Sequence, residues 1–277
     1  MSELVPRRTL ITAASPWALP DFGELWRTRE LLGLLIVSEF RARHRQTAIG
    51  ASWALIQPVV AMIVFSVVFG YFGKFPSEGR PYPIFFFSGF LVWQLFQKSV
   101  GSAVPSLAMS AGIIGKIYFP RLHLLIAPLG TNFLDFTMSA LVLLALHLYF
   151  GVVPGWQIVF LPFFILMALI AAFAAAVWLA PLNIFYRDVQ VGLPSLLQFA
   201  FFVTPVVYPV SFVPASLRWV LYLNPMTAVM EGCHWCLLGT SPPDPVGVLI
   251  SVGTTAAFLI PGMMYFTHTA RTMLDRI

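Results

Sequence analysis

"LHLLIAPLGTNFLDFTMSALVLLALHLYF", Leu122 to Phe150, carries one acidic side chain, Asp135, and no lysine or arginine. A hydrocarbon core about 30 Å thick needs about 20 helical residues per crossing. This stretch is long enough and apolar enough to be such a crossing. Five other runs have the same character: Trp53–Phe72, Ile84–Val104, Ile158–Ala180, Gly192–Val210 and Val246–Phe266. Short alternating segments, the mark of a membrane β-barrel, are missing from them. The second run is the least clean, since Gln94, Gln97 and Lys98 fall in its later half.

The whole composition agrees. Of 277 residues, 59% are hydrophobic and only 10% charged, where soluble domains are about half apolar and about a quarter charged. Such a chain cannot clothe a water-soluble globule with polar groups, so lipid must be its main solvent. The net charge of +5 does not argue for nucleic acid, because the cations stand beside apolar runs as topology signals.

The sequence therefore predicts an all-α, polytopic membrane protein with six transmembrane helices. Lysine and arginine gather before the first run, around the second-to-third connection, between the fourth and fifth, and after the sixth. The alternate loops hold only Lys74, Arg80 and Arg218. The positive-inside rule then places both termini in the cytoplasm.

Residues 1–20 read as a flexible cytoplasmic tail. Arg7-Arg8 faintly resembles a twin-arginine signal, but Pro16 and Pro20 interrupt the apolar stretch that follows. Residues 21–50 form an amphipathic helix lying in the membrane interface, with Leu25, Trp26, Leu32, Ile36 and Phe40 on one side and arginines elsewhere. Residues 51–277 are the transmembrane domain. Between the fifth and sixth runs, prolines break an apolar segment into two short pieces. The second opens on Asn224-Pro225, an N-cap with proline at the first helical position, and stops near Gly239. These pieces are too short to cross, which suggests an outer re-entrant hairpin around a conduit.

That second piece holds both cysteines, in Cys233-His234-Trp235-Cys236. Zinc takes four ligands, or three with water, and His234 points well away from the two cysteines on a helix. A redox C-x-x-C belongs at a helix N-terminus, whereas this one is in the last turns. The cysteines are read as small packing residues, reduced or oxidised to each other outside the cell. No metal or cofactor is expected.

Four stretches resemble a known family: "RHRQTAIGASWALIQPV" (Arg43–Val59), "GKIYFPRLHLL" (Gly115–Leu125), "LNIFYRDV" (Leu182–Val189) and "NPMTAVMEGCHWCLLG" (Asn224–Gly239). In order, and with the apolar runs, they resemble the membrane subunit of type-2 ABC exporters for cell-surface polysaccharides, O-antigen exporters closest. The resemblance implies a transport subunit rather than an enzyme. It implies a homodimer of this chain with two separate ATP-hydrolysing subunits, and a lipid-linked polysaccharide as substrate. A phosphate-cradling G-x-x-x-x-G-K-[ST] does not occur: "GYFGKF" (Gly70–Phe75) and "AGIIGKIY" (Ala111–Tyr118) lack its first glycine and its Ser/Thr.

The resemblance also assigns roles. Arg27, Arg29, Ser110, Lys116, Arg187 and Asp188 would meet the ATPase subunits, the last two forming a hinge or else touching substrate. Asn224, Pro225, Glu231 and His234 would gate the outer exit. Related sequences place phenylalanine and arginine where Cys233 and His234 stand here, so a role for that arginine would fall to a protonated His234. From the residues themselves, Arg41, Arg43 and Arg45 are candidates for admitting a pyrophosphate-linked substrate from the inner leaflet. Aromatic planes suit the apolar faces of sugar rings, which makes Tyr82, Phe85, Phe86, Trp93, Phe199, Phe202 and Tyr208 candidates for lining the channel; lipid-facing burial is the other reading. Asp135 either lines a wet channel or fixes helix packing. Capsule or teichoic acid polymers, or a drug or lipid, are the alternative cargoes. A membrane-embedded transferase would need clustered Asp, Glu, His or Arg at one depth.

Overall fold

The computed structural model of the chain describes residues 19–20, 22–44, 53–110 and 120–272. Their regular structure is helical throughout. Two helices lead: α1 (Phe22–Arg27) and α2 (Arg29–His44), separated at Thr28, whose hydroxyl donates back to the Glu24 carbonyl at 2.8 Å. Next, α3 (Trp53–Phe65) widens into a π-helical stretch, Ser66–Phe72. Gly70 sits in that stretch because the Tyr82 ring lies against it, 2.9 Å from where a Cβ would be.

The centre of the molecule is α4 (Tyr82–Met109). It packs between α5 (Leu122–Phe150) and α6 (Leu161–Phe185), the latter preceded by a 3₁₀ turn at Trp156–Phe160. From Tyr82 to Leu95 its side chains are buried almost without interruption. Lipid tails are as apolar as leucine, so burial from water cannot hold these helices together; close packing must. The α6 face provides it: Ala168, Ala171, Ala172, Ala174, Ala176 and Ala180 are buried there and let the backbones approach. Around α4 the phenylalanines stack, Phe65 on Phe86 at 4.6 Å and Phe86 on Phe90 at 5.0 Å.

The chain continues as α7 (Asp188–Val203), two 3₁₀ turns, α8 (Arg218–Tyr222), α9 (Pro225–Leu238) and α10 (Pro245–Thr272). The Asn224–Gly239 expectation holds in detail. Asn224 Oδ1 accepts from the Met226 amide at 3.1 Å, Pro225 opens α9, and Gly239 closes it in the left-handed region at φ 66°. Asp188 is the first residue of α7, with Arg187 before it at the N-cap and no side-chain capping bond.

Six transmembrane helices were expected, and the number is corrected to four. The helices long and apolar enough to cross a membrane, among the described residues, are Leu55–Phe72, Leu122–Phe150, Trp156–Phe185 and Pro245–Thr269. The run at Ile84–Val104 lies in a helix of ample length. Its solvent, however, is other helices rather than lipid, so it tolerates Gln94, Gln97 and Lys98 and falls short in hydropathy. The run at Gly192–Val210 belongs to a 16-residue helix that ends at Val203, because the chain turns at Thr204-Pro205. Continuous apolarity in sequence does not separate lipid-facing helix from helix-facing helix, and it does not see a turn.

Candidate functional site

Polar residues collect at one depth of the bundle. Gln57 precedes the end of its helix at Phe72 by about fifteen residues; Gln97 follows the start of α4, and Asp135 precedes the end of α5, by as many. Each is then about 22 Å from the end of the bundle that holds the turn between α3 and α4. They frame a cavity of about 560 Å³ between α3, α4, α5 and α7. Its walls bring together Gln57, Gln94, Gln97, Lys98, Ser102 and Gln190, with Arg43 and Asn132 at one side.

That side is built by α2, which runs parallel to α5 and packs on it. Thr28 Oγ1 lies 3.2 Å from His123 Nε2, and Thr131 Oγ1 approaches the Ile36 carbonyl at 3.4 Å. Gly130 gives α2 room, since a Cβ there would stand 2.5 Å from Ile36 Cδ1. At the far end of α2, Arg43 Nη1 donates to Asn132 Oδ1 at 2.7 Å and to Asp135 Oδ2 at 2.9 Å. Arg43 Nη2 reaches Glu39 at 3.3 Å, and His44 Nε2 faces the other Asp135 oxygen at 3.5 Å. Asn132 Nδ2 passes the network on to Ser102 of α4 at 2.8 Å. Burial raises the Glu39 carboxyl from its ordinary value, against the lowering effect of Arg43. Two residues expected to act separately, Arg43 for admitting substrate and Asp135 in the channel, are therefore partners in one ion pair.

The other candidates are spread out. Arg41 is exposed on α2, while Arg45 and Lys116 lie outside the described residues, as do residues 1–18. Arg27 and Arg29 are exposed at the start of the α1–α2 pair, with the Arg29 guanidinium 5.2 Å from the Trp26 ring. Ser110 ends α4, and Arg187 and Asp188 are exposed between α6 and α7. Tyr82, Phe85, Phe86 and Trp93 are core residues of the chain, and the Tyr82 hydroxyl donates to the Val207 carbonyl at 2.9 Å. Phe199 and Phe202 are exposed on α7, and Tyr208 is partly buried beyond its end.

At the opposite end, α9 is seated against α4 and α6. The His234 ring stacks on Phe85 with centroids 4.2 Å apart, and its Nε2 donates to the Phe85 carbonyl at 3.2 Å. Burial lowers its pKa to about 4, so it is neutral near pH 7 and does not replace an arginine's charge. Cys233 and Cys236 carry free thiols packed in the core, each raised by burial, Cys236 to about 11. The Tyr222 hydroxyl donates to Glu231 Oε2 at 2.6 Å, and Asn224 Nδ2 to Thr204 Oγ1 at 2.8 Å.

Sequence reasoning missed Gln57, Ser102, Asn132 and Gln190. Their signal was present: an amide in an otherwise apolar run costs energy unless it is paired or faces a wet space. Gln94, Gln97 and Lys98 were noticed as blemishes on a lipid-length run, when they mark the face of α4 turned to a cavity.

Four helices of membrane length, beside a half-open cavity whose wall carries four glutamines, Lys98 and Arg43, are those of a multi-pass helical protein of the inner membrane with the anatomy of a transport subunit. The chain belongs to the ABC-2 type transporter family, whose model matches residues 30–238. It is 32% identical over 210 residues to the O-antigen export system permease protein RfbA of Myxococcus xanthus, covering 75% of this chain and 80% of that one. It is 22% identical over 202 residues to the O-antigen export system permease protein RfbA of Klebsiella pneumoniae, covering 73% and 77%. It is also 20% identical over 208 residues to the polysialic acid transport protein KpsM of Escherichia coli, covering 71% and 77%.

Proposed function

We propose that this chain is the membrane subunit of an ATP-driven exporter of lipid-linked polysaccharide of the O-antigen kind. Two copies would pair to form the passage, and separate nucleotide-binding subunits would supply the energy. The observation that carries this reading is the cavity: a space with four glutamines in its wall, within an ABC-2 type transporter. The names of the relatives give the cargo its class.

The end of the bundle holding α2, Arg121 and Arg187 would face the cytoplasm, where their charges obey the positive-inside rule. ATPase subunits would press on α1, α2 and the α6–α7 turn at Arg187-Asp188. Because α2 is tied to α5 by Arg43, a push there would reach the cavity wall directly. Arg41, exposed on α2 two residues before the Arg43–Asp135 pair, suits the headgroup of an arriving lipid-linked chain. The short helices α8 and α9 at the far end would form the outer gate.

Deleting the gene tests the cargo. Undecorated cells with lipid-linked glycan accumulating on the inner face of the membrane are expected, with export restored by the wild-type gene. Normal surface glycan after deletion, with sensitivity to a drug or altered lipid asymmetry instead, would replace this reading with a different cargo. Cysteine-accessibility labelling at exposed Arg187→Cys and Ser241→Cys tests orientation: only the second should react with an impermeant reagent in intact cells with a permeabilised outer membrane.

A further inference from the structure

Resting on that reading, we infer that the cavity is a holding station for uncharged sugar residues, recognised through their hydroxyl groups by glutamine amides and two proline-freed carbonyls.

The chemistry of the wall decides what it suits. Pro105 and Pro194 stand inside α4 and α7 and have no N–H to offer. The carbonyls four residues earlier, of Gly101 and Gln190, therefore lose the usual intrahelical donor. All four of these residues line the cavity. Nothing lies within 4 Å of where a Gly101 Cβ would be, so the backbone there is open to the space. The wall thus presents bare acceptors from two facing helices.

It presents donors as well. The Trp93 indole can only donate, and it donates to Gln97 Oε1 at 3.0 Å. That fixes the Gln97 amide with its NH₂ group turned away from Trp93, available to the cavity. Gln57 and Gln190 add an amide each, and Gln94 adds a third though it is only 7% exposed. An anion asks for donors alone and a metal cation for acceptors alone. A hydroxyl both donates and accepts, and a sugar ring also carries apolar C–H faces; amides and carbonyls set among Leu193, Leu197 and the two prolines match both.

Charge excludes the other large class of polymer. A passage for a polyanion would leave its cations unpaired. Here Arg43 is held by Asp135 at 2.9 Å and Glu39 at 3.3 Å. Lys98, the second cation of the wall, lies in the field of the Asp135 carboxylate, so each cation of the wall already has a carboxylate to answer it. The size fits too, at about 560 Å³, within the range of roughly 300–1,000 Å³ for ligand clefts.

The test uses cells deleted for the gene and complemented with wild-type protein, with the double variant Gln97→Leu/Gln190→Leu, or with Gln190→Ser, which keeps a hydrogen-bonding group. Protein level and surface glycan are measured together, and the exported glycan is hydrolysed for sugar analysis. Expected are a glycan without a charged residue in its repeat, a drop in export of about fivefold for each lost amide at unchanged protein level, and near-normal export with Gln190→Ser. Sugar analysis of the wild-type product needs no variant to fold, and an acidic residue in every repeat would overturn the inference. Undiminished export by the double variant would do the same. If deletion itself leaves surface glycan normal, it is the exporter reading that fails.

Discussion

Arg43 and Asp135, 92 positions apart, meet at 2.9 Å and join α2 to a membrane-length helix. The Asp135 side chain is 9% exposed and the Arg43 side chain 33%, so the pair is partly screened. Removing one partner of a fully buried pair costs about 3–5 kcal/mol; screening should reduce this to about 1–3 kcal/mol for Arg43→Ala. Arg43→Ala strands the carboxylate, whereas Arg43→Ala with Asp135→Asn removes both charges and should recover part of the loss. Thermal stability of the purified protein in detergent, compared as a double-mutant cycle, reads this directly. Strictly additive losses would mean that the contact carries no coupling.

This pair also shows what the sequence concealed. Asp135 was legible as an anomaly, because an unpaired carboxylate in a membrane-length helix is too costly to be idle. Its partner was not, since nothing in the local pattern of α2 says which neighbour Arg43 will find. Asn224-Pro225 and Gly239 were legible to the residue, because caps depend on the backbone within one or two turns. The number of crossing helices was not. Hydropathy ranks residues by solvent preference, yet Phe85–Phe87 are buried in protein while Leu144 and Leu148 on α5 are exposed, and both groups look alike in sequence. The glutamines separate the two cases, and they were underweighted.

Glu231 makes stability depend on pH in a definite direction. Burial raises its carboxyl above the ordinary 4.5, and the bond from Tyr222 only partly opposes this. The folded protein therefore binds that proton more tightly than the unfolded chain does. Its contribution is fully present below about 4.5 and is lost as pH rises through the folded value. Glu39 shifts in the same direction, so the useful comparison is between wild type and Glu231→Gln. The variant should show a flatter fall in melting temperature from pH 4 to 8, and parallel curves would contradict the assignment.

Gly232 governs how closely α9 can approach α6. A Cβ at this position would overlap the ring of Phe164, itself buried. The ring cannot swing out cheaply in a packed layer, so Gly232→Ala should cost about 1–3 kcal/mol. Gly253 is the contrasting case: nothing lies within 4 Å of its Cβ position in α10, and Gly253→Ala should be neutral or stabilising by up to about 1 kcal/mol. Adding Phe164→Leu to Gly232→Ala should restore part of the lost melting temperature. A Gly232→Ala protein as stable as wild type would show that α9 is not seated as described.

Asn224 does two jobs with two atoms, and they can be separated. Its Oδ1 caps α9 through the Met226 amide, while its Nδ2 donates to Thr204 Oγ1 at 2.8 Å and ties the hairpin to the end of α7. Asn224→Ala loses both and should cost about 0.5–2 kcal/mol for the cap alone. Asn224→Asp keeps the capping oxygen and adds a favourable negative charge at the helix N-terminus, but it offers Thr204 an acceptor in place of a donor. Thr204 Oγ1 already spends its hydrogen on the Ala200 carbonyl at 2.7 Å, so two lone pairs would then face each other. The acid should therefore leave α9 formed while loosening residues 204–218, visible as faster backbone hydrogen exchange there than within α9. In a Thr204→Val background the lone-pair conflict is gone and the difference between Asn224→Asp and wild type should shrink; if it persists undiminished, the tie runs through some other contact.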